Sequence, residues 1–142
     1  MTTLEFFAVG EPKGQPRARA CIRGKHAGVY DPGTADGWKM IVRHAARDAW
    51  DGATFTSPVS VSIRFCFPRP KSHFDRHGKL REGTPCWKVS KPDCDNLAKA
   101  VMDALTSMQL WWDDAQVVKL SVTKQYVTEF AGAEIIVDTL IP

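Results

Sequence analysis

Residues 59–67, with the sequence VSVSIRFCF, decide the fold class of this chain. Apolar and polar side chains alternate along them, which is the period of a β-strand that buries one face. The apolar positions are β-branched or aromatic, and Pro68 and Pro70 follow directly, where proline ends strand pairing. We therefore predict a strand here with one face in the core of a sheet.

The segments on both sides of this strand predict an α+β domain. Three further stretches have the length and pattern of strands, and they are residues 4–9, 117–127 and 133–140. Two stretches repeat their apolar side chains at helical spacing, and they are residues 34–50 and 95–108. The order β-α-β-α-β-β predicts a mixed β-sheet of about four strands with two main helices packed on it. All 142 residues fit one domain, because a chain of this size buries one core.

Two long segments without a periodic pattern, residues 10–33 and 68–92, are predicted to be loops. Residues 10–25 and 68–91 hold twelve of the nineteen Lys and Arg residues but three of the sixteen acids. Such basic loops favour a polyanionic partner, although two solvated loops without a partner explain the charge equally well. The candidate nucleic-acid-binding residues are Lys13, Arg17, Arg19, Arg23, Lys71 and Arg76.

The composition narrows the class of protein further. The sequence lacks an apolar run of about 18 residues, and its first residues lack the basic and apolar pattern of a signal peptide. We therefore expect no membrane partner and a cytoplasmic location. The four cysteines match no zinc-binding spacing, so we expect free thiols, with that of Cys66 buried in the strand.

The segment Lys91-Pro92-Asp93-Cys94-Asp95-Asn96 is the first of two acidic groups. Pro92 favours an extended chain, in which Asp93 and Asp95 would present their carboxylates to one spot. Two carboxylates that close repel each other, and a hard cation such as Mg²⁺ or Mn²⁺ relieves the conflict. The alternative carries equal weight: Asp95 or Asn96 caps the second helix, and Asp93 is simply solvated.

The second acidic group is Asp113-Asp114, and chain geometry lets it return to the first. A helix of about twelve residues runs about 18 Å, and six extended residues cover about 20 Å. Asp114 can therefore reach Asp93 if the chain reverses near Ser107. Lys99, four residues after Asp95, lies on the same helix face as Asp103. It can offset charge on a scissile phosphate, or it can form an ordinary surface ion pair, which the residues alone favour.

The stretches KPDCDNLAKAVMDAL (residues 91–105) and WWDDAQVVKLSVTK (residues 111–124) resemble the core signature of the RusA family of Holliday junction resolvases. The shared pattern is Asp-x-Asp-Asn, a Lys four residues after the second Asp, Asp-Ala-Leu, and then Asp-Asp-x-Gln. The resemblance is close over residues 91–126 and weaker over GEPKGQPRAR at residues 10–19. Cys94 stands where an aliphatic residue is usual, and Gln109 stands where a glycine often marks the turn.

The resemblance implies a RusA-like endonuclease domain with the α+β fold, working as a homodimer. It implies Mg²⁺-dependent nicking, with Mn²⁺ as a substitute, and branched DNA as the partner: four-way junctions resolved by paired symmetric nicks. By position it implies Asp93, Asp95 and Asp114 as metal ligands and Lys99 as the catalytic lysine, so that these four residues form the catalytic set.

Three other functions stay open at this point. The chain can be a nuclease for other branched or single-stranded DNA, a DNA-binding protein without catalysis, or a factor directed to RNA, because phosphate contacts carry no sugar identity. Aromatic residues of the loops are candidates to wedge into an open junction, although we expect core packing for at least one of them, Trp111. The candidates are Phe74, Trp87 and Trp111.

Overall fold

The computed structural model describes residues 2–141, except for the side chains of Arg23 and Tyr30. Its strands are β1 (Thr3–Val9), β2 (Arg19–Arg23), β3 (His26–Tyr30), β4 (Val59–Pro68), β5 (Val117–Val127) and β6 (Gly132–Thr139). Its α-helices are α1 (Asp36–Ala49) and α2 (Cys94–Ser107). Two short 3₁₀ turns span Lys71–His73 and Asp114–Gln116.

The main sheet has four strands in the order β1-β6-β4-β5. In its middle, Ile63 of β4 lies opposite Ile135 of antiparallel β6 and Val122 of parallel β5. A parallel pair needs a crossover connection, and α2 provides it between β4 and β5. The predicted α+β fold, with a mixed four-stranded sheet and two helices, is confirmed.

One face of β4 forms the centre of the core, as its alternating sequence predicts. The five alternate apolar side chains of this strand are all buried, and they are Val59, Val61, Ile63, Phe65 and Phe67. Burying each of them contributes roughly 1.5–3 kcal/mol relative to leaving it in water. Both helices complete this core with apolar stripes: Trp38, Val42 and Ala46 from α1, and Leu97, Val101 and Leu105 from α2. The opposite face of α2 is therefore the one turned toward solvent.

The prediction of one long irregular loop over residues 10–33 is wrong in its second half. Strands β2 and β3 form an antiparallel hairpin there, with Arg19 opposite Tyr30 and Arg23 opposite His26. Gly24 takes φ +62° in the two-residue turn, which glycine adopts without strain. The hairpin stands apart as its own two-stranded sheet, and its apolar side chains Ile22 and Val29 are exposed. It buries little apolar surface, and so its sequence lacks the alternation that reveals β4.

The second basic loop, residues 69–91, is docked on the carboxyl end of β5. Its backbone pairs with the strand, because the Tyr126 amide donates to the Cys86 carbonyl at 2.8 Å and the Lys88 amide to the Lys124 carbonyl at 3.3 Å. Two of its cations, Arg69 and Lys88, lie over the Tyr126 ring at 5.8 and 5.6 Å from its centre. These contacts hold the loop that leads into Asp93.

Helix α2 ends in a Schellman motif, and this motif produces the chain reversal near Ser107 that a return of Asp114 requires. The Leu110 amide donates to the Leu105 carbonyl at 3.1 Å, and the Gln109 amide donates to the Thr106 carbonyl at 3.0 Å. Gln109 takes φ +60°, the left-handed conformation that glycine usually supplies at this position. The turn sends the chain back along α2 toward Asp114.

The structure also bears on the predictions about membrane helices and cysteines. Over residues 2–141, no helix is long and apolar enough to cross a membrane. The cysteines are free thiols, as predicted, and Cys66 is buried within β4.

Candidate functional site

Asp93 occupies the N-cap position of α2, which corrects the prediction that Asp95 or Asn96 caps this helix. The helix begins one residue earlier than the sequence predicts, at Cys94, so Asp95 falls inside its first turn. Asp93 itself is extended, at φ −74° and ψ 150°, as is typical of an N-cap residue. Because Asp95 is helical, the two aspartates do not form the extended pair that the sequence predicts.

Both carboxylates at this helix end are exposed. Asp95 accepts a hydrogen bond from the adjacent Asn96 amide at 2.9 Å, and within residues 2–141 the Asp93 side chain makes no capping bond. Negative charge is favourable at a helix N-terminus, so two carboxylates are tolerated here without a cationic side chain. Helix capping by the Asp93 side chain therefore does not account for this residue.

The segment 14–17 packs directly against the start of α2. The Gln15 amide donates to the Asn96 carbonyl at 2.9 Å. A Cβ on Gly14 would come within 3.2 Å of Asn96 Cβ and 3.3 Å of Pro92 Cβ, so glycine allows this close approach. The Gln15 side chain donates in turn to the Asp31 carboxylate at 2.8 Å. The N-terminal basic loop is thus attached to the acidic segment.

A groove of about 610 Å³ opens between these two segments. Residues 14–17 form one wall, and Lys91, Pro92, Asp93 and Asn96 form the other. Arg17 and Lys91 give the groove two exposed cations beside the Asp93 carboxylate. A groove with cations on its walls and a carboxylate at its edge suits a phosphate backbone that approaches a metal-binding acid.

Gln116 holds the second acidic group in place, a role that the sequence pattern did not reveal. Its side-chain oxygen accepts from the amides of Trp112 and Asp113 at 2.8 and 3.2 Å. Its side-chain nitrogen donates to the carbonyls of Phe55 and Ser57 at 3.0 and 3.1 Å. Gln116 therefore uses its full hydrogen-bonding capacity to tie the Asp-Asp turn to the segment before β4.

Asp113 and Asp114 have different local environments. The Asp113 carboxylate accepts from the Ala115 amide at 2.9 Å, and this bond lowers its pKa. The hydrogen bond and the charge of Asp113, together with partial burial and the charge of Asp103, raise the pKa of Asp114, while the charge of Lys99 opposes that rise. The turn that carries Asp114 thus packs on α2, within range of the charges of Lys99 and Asp103.

Lys99 forms the surface ion pair that the sequence allows, since its ammonium lies 3.5 Å from Asp103 Oδ1. Asp103 also receives Lys39 of α1 at 4.0 Å. The Lys99 side chain remains 62% exposed, so this ion pair leaves it accessible to a further anion. Lys99 lies one helical turn, about 6 Å along the axis, from Asp95.

The three aspartates expected to bind metal form two groups in this structure. Asp93 and Asp95 lie at the start of α2, and Asp114 lies on the turn Asp114–Gln116, which packs on that helix within range of the charge of Lys99. In the part of the chain from residue 2 to 141, no three His, Cys, Asp or Glu side chains converge as a ready metal site. Asp93, Asp95 and Asp114 nevertheless suit a hard cation such as Mg²⁺, because all three offer exposed carboxylate oxygens.

Most of the predicted nucleic-acid-binding cations are exposed. Among the described side chains, ion pairs join only other residues, Lys39 and Lys99 with Asp103 and Arg64 with Glu134. The loop cations therefore keep their charge available, and they are Lys13, Arg17, Arg19, Lys71 and Arg76. The prediction for Arg23 falls on a side chain outside the described residues.

The three aromatic residues differ in their burial. Trp111 is fully buried and donates its indole N–H to the Thr106 hydroxyl at 2.8 Å, which confirms the expectation of core packing. Phe74 is half-buried, and Trp87 is 59% exposed. Only Trp87 of the three keeps most of its ring available for stacking on a base.

Comparison with known proteins places the chain in a family. The family model described as endodeoxyribonuclease RusA matches residues 10–138, which is most of the chain. The chain therefore belongs to the RusA family, as the Asp-x-Asp-Asn and Asp-Asp-x-Gln motifs predict.

Individual relatives agree with this assignment. The chain is 34% identical over 131 residues to the uncharacterised protein YqaN of Bacillus subtilis (strain 168), covering 91% of this chain and 92% of that protein. It is 45% identical over 81 residues to a crossover junction endodeoxyribonuclease of Lactococcus phage r1t, covering 49% of this chain and 62% of the phage protein. It is 51% identical over 43 residues to crossover junction endodeoxyribonuclease RusA of Escherichia coli (strain K12), covering 30% of this chain and 36% of that protein.

Proposed function

We propose that this chain is a Mg²⁺-dependent endodeoxyribonuclease that resolves four-way DNA junctions by paired symmetric nicks. The observation that carries the proposal is the groove where Arg17 and Lys91 flank the Asp93 carboxylate. Membership of the RusA family supports nuclease chemistry. The names of the phage and Escherichia coli relatives support junctions as the substrate.

Asp93, Asp95 and Asp114 would hold the divalent cation. Their oxygens are hard ligands of the kind that Mg²⁺ and Mn²⁺ prefer. A bound cation would polarise the scissile phosphate and lower the pKa of a coordinated water. Asp95 and Lys99 share one face of α2, and the turn that carries Asp114 packs on this helix, so the exposed carboxylates would have to converge on the cation when it binds.

Lys99, on the exposed face of α2, would act on the scissile phosphate directly. The ammonium of Lys99 is exposed and shares Asp103 with Lys39, so it can turn toward an anion at low cost. Placed beside the scissile phosphate, it would offset the negative charge that develops as the bond to oxygen breaks. This role makes Lys99 a catalytic residue in the proposal.

The two basic loops would position the DNA. Their exposed arginine and lysine side chains lie on the segment that forms one wall of the groove and on the loop that leads into Asp93. Phosphate contacts of this kind supply affinity that falls steeply with salt. Such contacts fix the register of the backbone, while the shape of the junction supplies the specificity.

A homodimer completes the proposal. A four-way junction has approximate two-fold symmetry, and its resolution requires one nick in each of two equivalent strands. A dimer with two-fold symmetry presents two identical sites related by the same operation. The dimer is thus the simplest assembly that makes both nicks in one encounter.

A nicking assay tests the proposal. Purified protein is incubated with a synthetic four-way junction, a flap and a linear duplex, each with Mg²⁺, with Mn²⁺ and with EDTA. We expect paired nicks in the junction, only with metal, and we expect Asp93→Asn and Asp114→Asn to abolish nicking while junction binding persists. Asp48→Asn is the control, because Asp48 is an exposed acid on α1, away from this face.

The outcomes separate the rival functions. Equal cutting of all three substrates rejects junction specificity and leaves a general nuclease. Junction binding without cutting in either metal rejects the enzyme and leaves a DNA-binding protein. Nicks in one strand of the junction without a partner nick in the equivalent strand reject paired, symmetric resolution.

A further inference from the structure

Lys124 of β5 is half-buried, and its side chain reaches the segment that carries Asp93. Its ammonium donates to the Ser90 carbonyl at 2.7 Å and to the Pro92 carbonyl at 2.7 Å. The sequence places this lysine at the end of an alternating series with Val118, Leu120 and Val122, which shows a strand but no role for the charge. Its partners are main-chain oxygens, so no motif in the sequence records the contact.

These two bonds complete the attachment of the segment 86–92 to β5. Earlier along this segment, Cys86 and Lys88 pair with the strand through their backbones. After Lys88 the segment is joined to β5 by the side chain of Lys124, which binds the Ser90 and Pro92 carbonyls. The last carbonyl that it holds, that of Pro92, belongs to the residue directly before Asp93.

The Pro92–Asp93 segment is therefore held from two sides. Lys124 binds the Pro92 carbonyl from the sheet, and Gly14 packs on Pro92 and Asn96 from the N-terminal loop. Asp93 lies between these two supports, with its exposed carboxylate at the edge of the groove. Its backbone position is set by neighbours, while its side chain stays free to bind a ligand.

A lysine suits this place for a physical reason. The two carbonyls point at one spot, and an ammonium has three donors that it can direct to both at once. Hydrogen bonds from a charged donor are about twice as strong as neutral ones. An apolar side chain would leave the part-buried Pro92 carbonyl without this donor, which favours movement of the segment.

We propose that Lys124 is a positioning residue that fixes the backbone of Asp93 so that its carboxylate is preorganised to bind the divalent cation. The inference rests on the proposed function, because it takes Asp93 as a metal ligand. Lys124 uses its ammonium on the protein itself, so it acts through Asp93 rather than on the DNA.

The test compares Lys124→Met, Lys124→Arg and Lys119→Met. Methionine keeps the length and removes the donors, arginine keeps donors and charge, and Lys119 is an exposed lysine on the same strand. Calorimetric titration with Mn²⁺ measures metal affinity without DNA or turnover. Loss of a group that orients a metal ligand typically weakens affinity about tenfold or more. We expect that loss for Lys124→Met, a smaller one for Lys124→Arg and none for Lys119→Met.

Junction binding in EDTA separates positioning from DNA contact. We expect all three variants to bind the junction as the wild type does, and Lys124→Met to need more Mg²⁺ for half-maximal nicking while approaching the wild-type rate at saturating metal. Unchanged Mn²⁺ affinity in Lys124→Met overturns the inference. A loss of metal-free junction binding equal to the loss of metal affinity also overturns it, since Lys124 would then be a DNA contact.

A measurement on the wild type keeps the inference testable if Lys124→Met fails to fold. The two hydrogen bonds predict an ammonium NMR signal of Lys124 that exchanges with water more slowly than that of Lys119. Equal, fast exchange at both lysines contradicts the two hydrogen bonds from Lys124 to the Ser90 and Pro92 carbonyls. A wild type that neither binds Mn²⁺ nor nicks DNA rejects the proposed function instead, whereas wild-type metal binding with no effect of Lys124→Met rejects only this inference.

Discussion

The side-chain nitrogen of Gln116 donates to the main-chain carbonyl of Phe55 at 3.0 Å, and this bond joins the turn carrying Asp114 to the segment before β4. The same side chain binds Ser57 and the amides of Trp112 and Asp113. The glutamine of the Asp-Asp-x-Gln motif therefore has a structural role: it fixes the turn that carries the two aspartates, through hydrogen bonds to main-chain groups.

Replacing Gln116 by glutamate tests this role. The change keeps the acceptor for the two amides but turns a carboxylate oxygen toward two carbonyl oxygens, so we expect a loss of about 2–3 kcal/mol in the free energy of unfolding. The destabilisation should grow as pH rises above about 4.3, where an ordinary glutamate ionises. Urea denaturation at several pH values measures it. Gln125→Glu on β5 serves as the control, and equal stability of both variants would refute the role.

Gln109 pays a conformational cost at the end of α2, since a side chain stands at φ +60° where the Schellman motif favours glycine. Gln109→Gly should stabilise the chain by roughly 0.5–1 kcal/mol, because the relief of strain exceeds the entropy that glycine gains in the unfolded state. Thermal unfolding should shift upward by about 2–4 °C. Gln109→Ala keeps the Cβ and should give no such rise; a rise in both variants would locate the effect in the glutamine side chain instead of the backbone.

An element that buries one face leaves a period in the sequence, and this period predicts β4 and α2. β4 and α2 bury one face each, so both elements were predicted to within a residue or two. The β2–β3 hairpin buries little, as the exposure of Ile22 and Val29 shows, and it was missed.

The candidate site also has features that the sequence predicts and features that it does not. The motifs predict Asp93, Asp114 and Lys99 as site residues, and the chain reversal at Gln109 brings the turn that carries Asp114 back onto α2. The spacing did not identify the start of α2, because a one-residue shift of a helix end changes few side-chain contacts. It also missed the roles of Gln116 and Lys124, whose partners are main-chain carbonyls and leave no trace in the residue pattern.

Cys66 should be the least reactive thiol of the chain. Burial raises the pKa of this thiol, and the nearby Arg64 charge only partly offsets the rise, so little thiolate forms near neutral pH. Iodoacetamide at pH 8 should therefore alkylate the exposed Cys86 first and Cys66 last, as followed by mass spectrometry of the native protein. In urea the two rates should converge. Equal rates in the native state would mean that β4 opens readily.

Arg17 should contribute to junction affinity through phosphate. Arg17→Ala removes an exposed cation from the wall of the groove, so the slope of log affinity against log salt should fall in magnitude by about 0.9. Filter binding in EDTA at several salt concentrations measures the slope. Arg47→Ala removes an equally charged, exposed side chain on α1 and should leave the slope unchanged. An identical effect of both variants would show only a response to net charge.

Lys99 and Lys39 share the Asp103 carboxylate, at 3.5 and 4.0 Å, and this shared partner gives a matched test of catalysis. If Lys99 acts on the scissile phosphate, Lys99→Met should lower kcat for junction nicking about a hundredfold or more, the usual loss for a group that stabilises transition-state charge.

Lys39→Met removes an ion pair to the same acid from the side of α1, so it should leave kcat near that of the wild type. Single-turnover nicking at saturating protein and Mg²⁺ separates kcat from binding. If both variants lose the same small amount of activity, Lys99 serves only the surface ion pair. A selective loss of kcat in Lys99→Met, with junction affinity retained, assigns its ammonium to the reaction, because the two lysines differ in their position relative to Asp114 and not in the acid they neutralise.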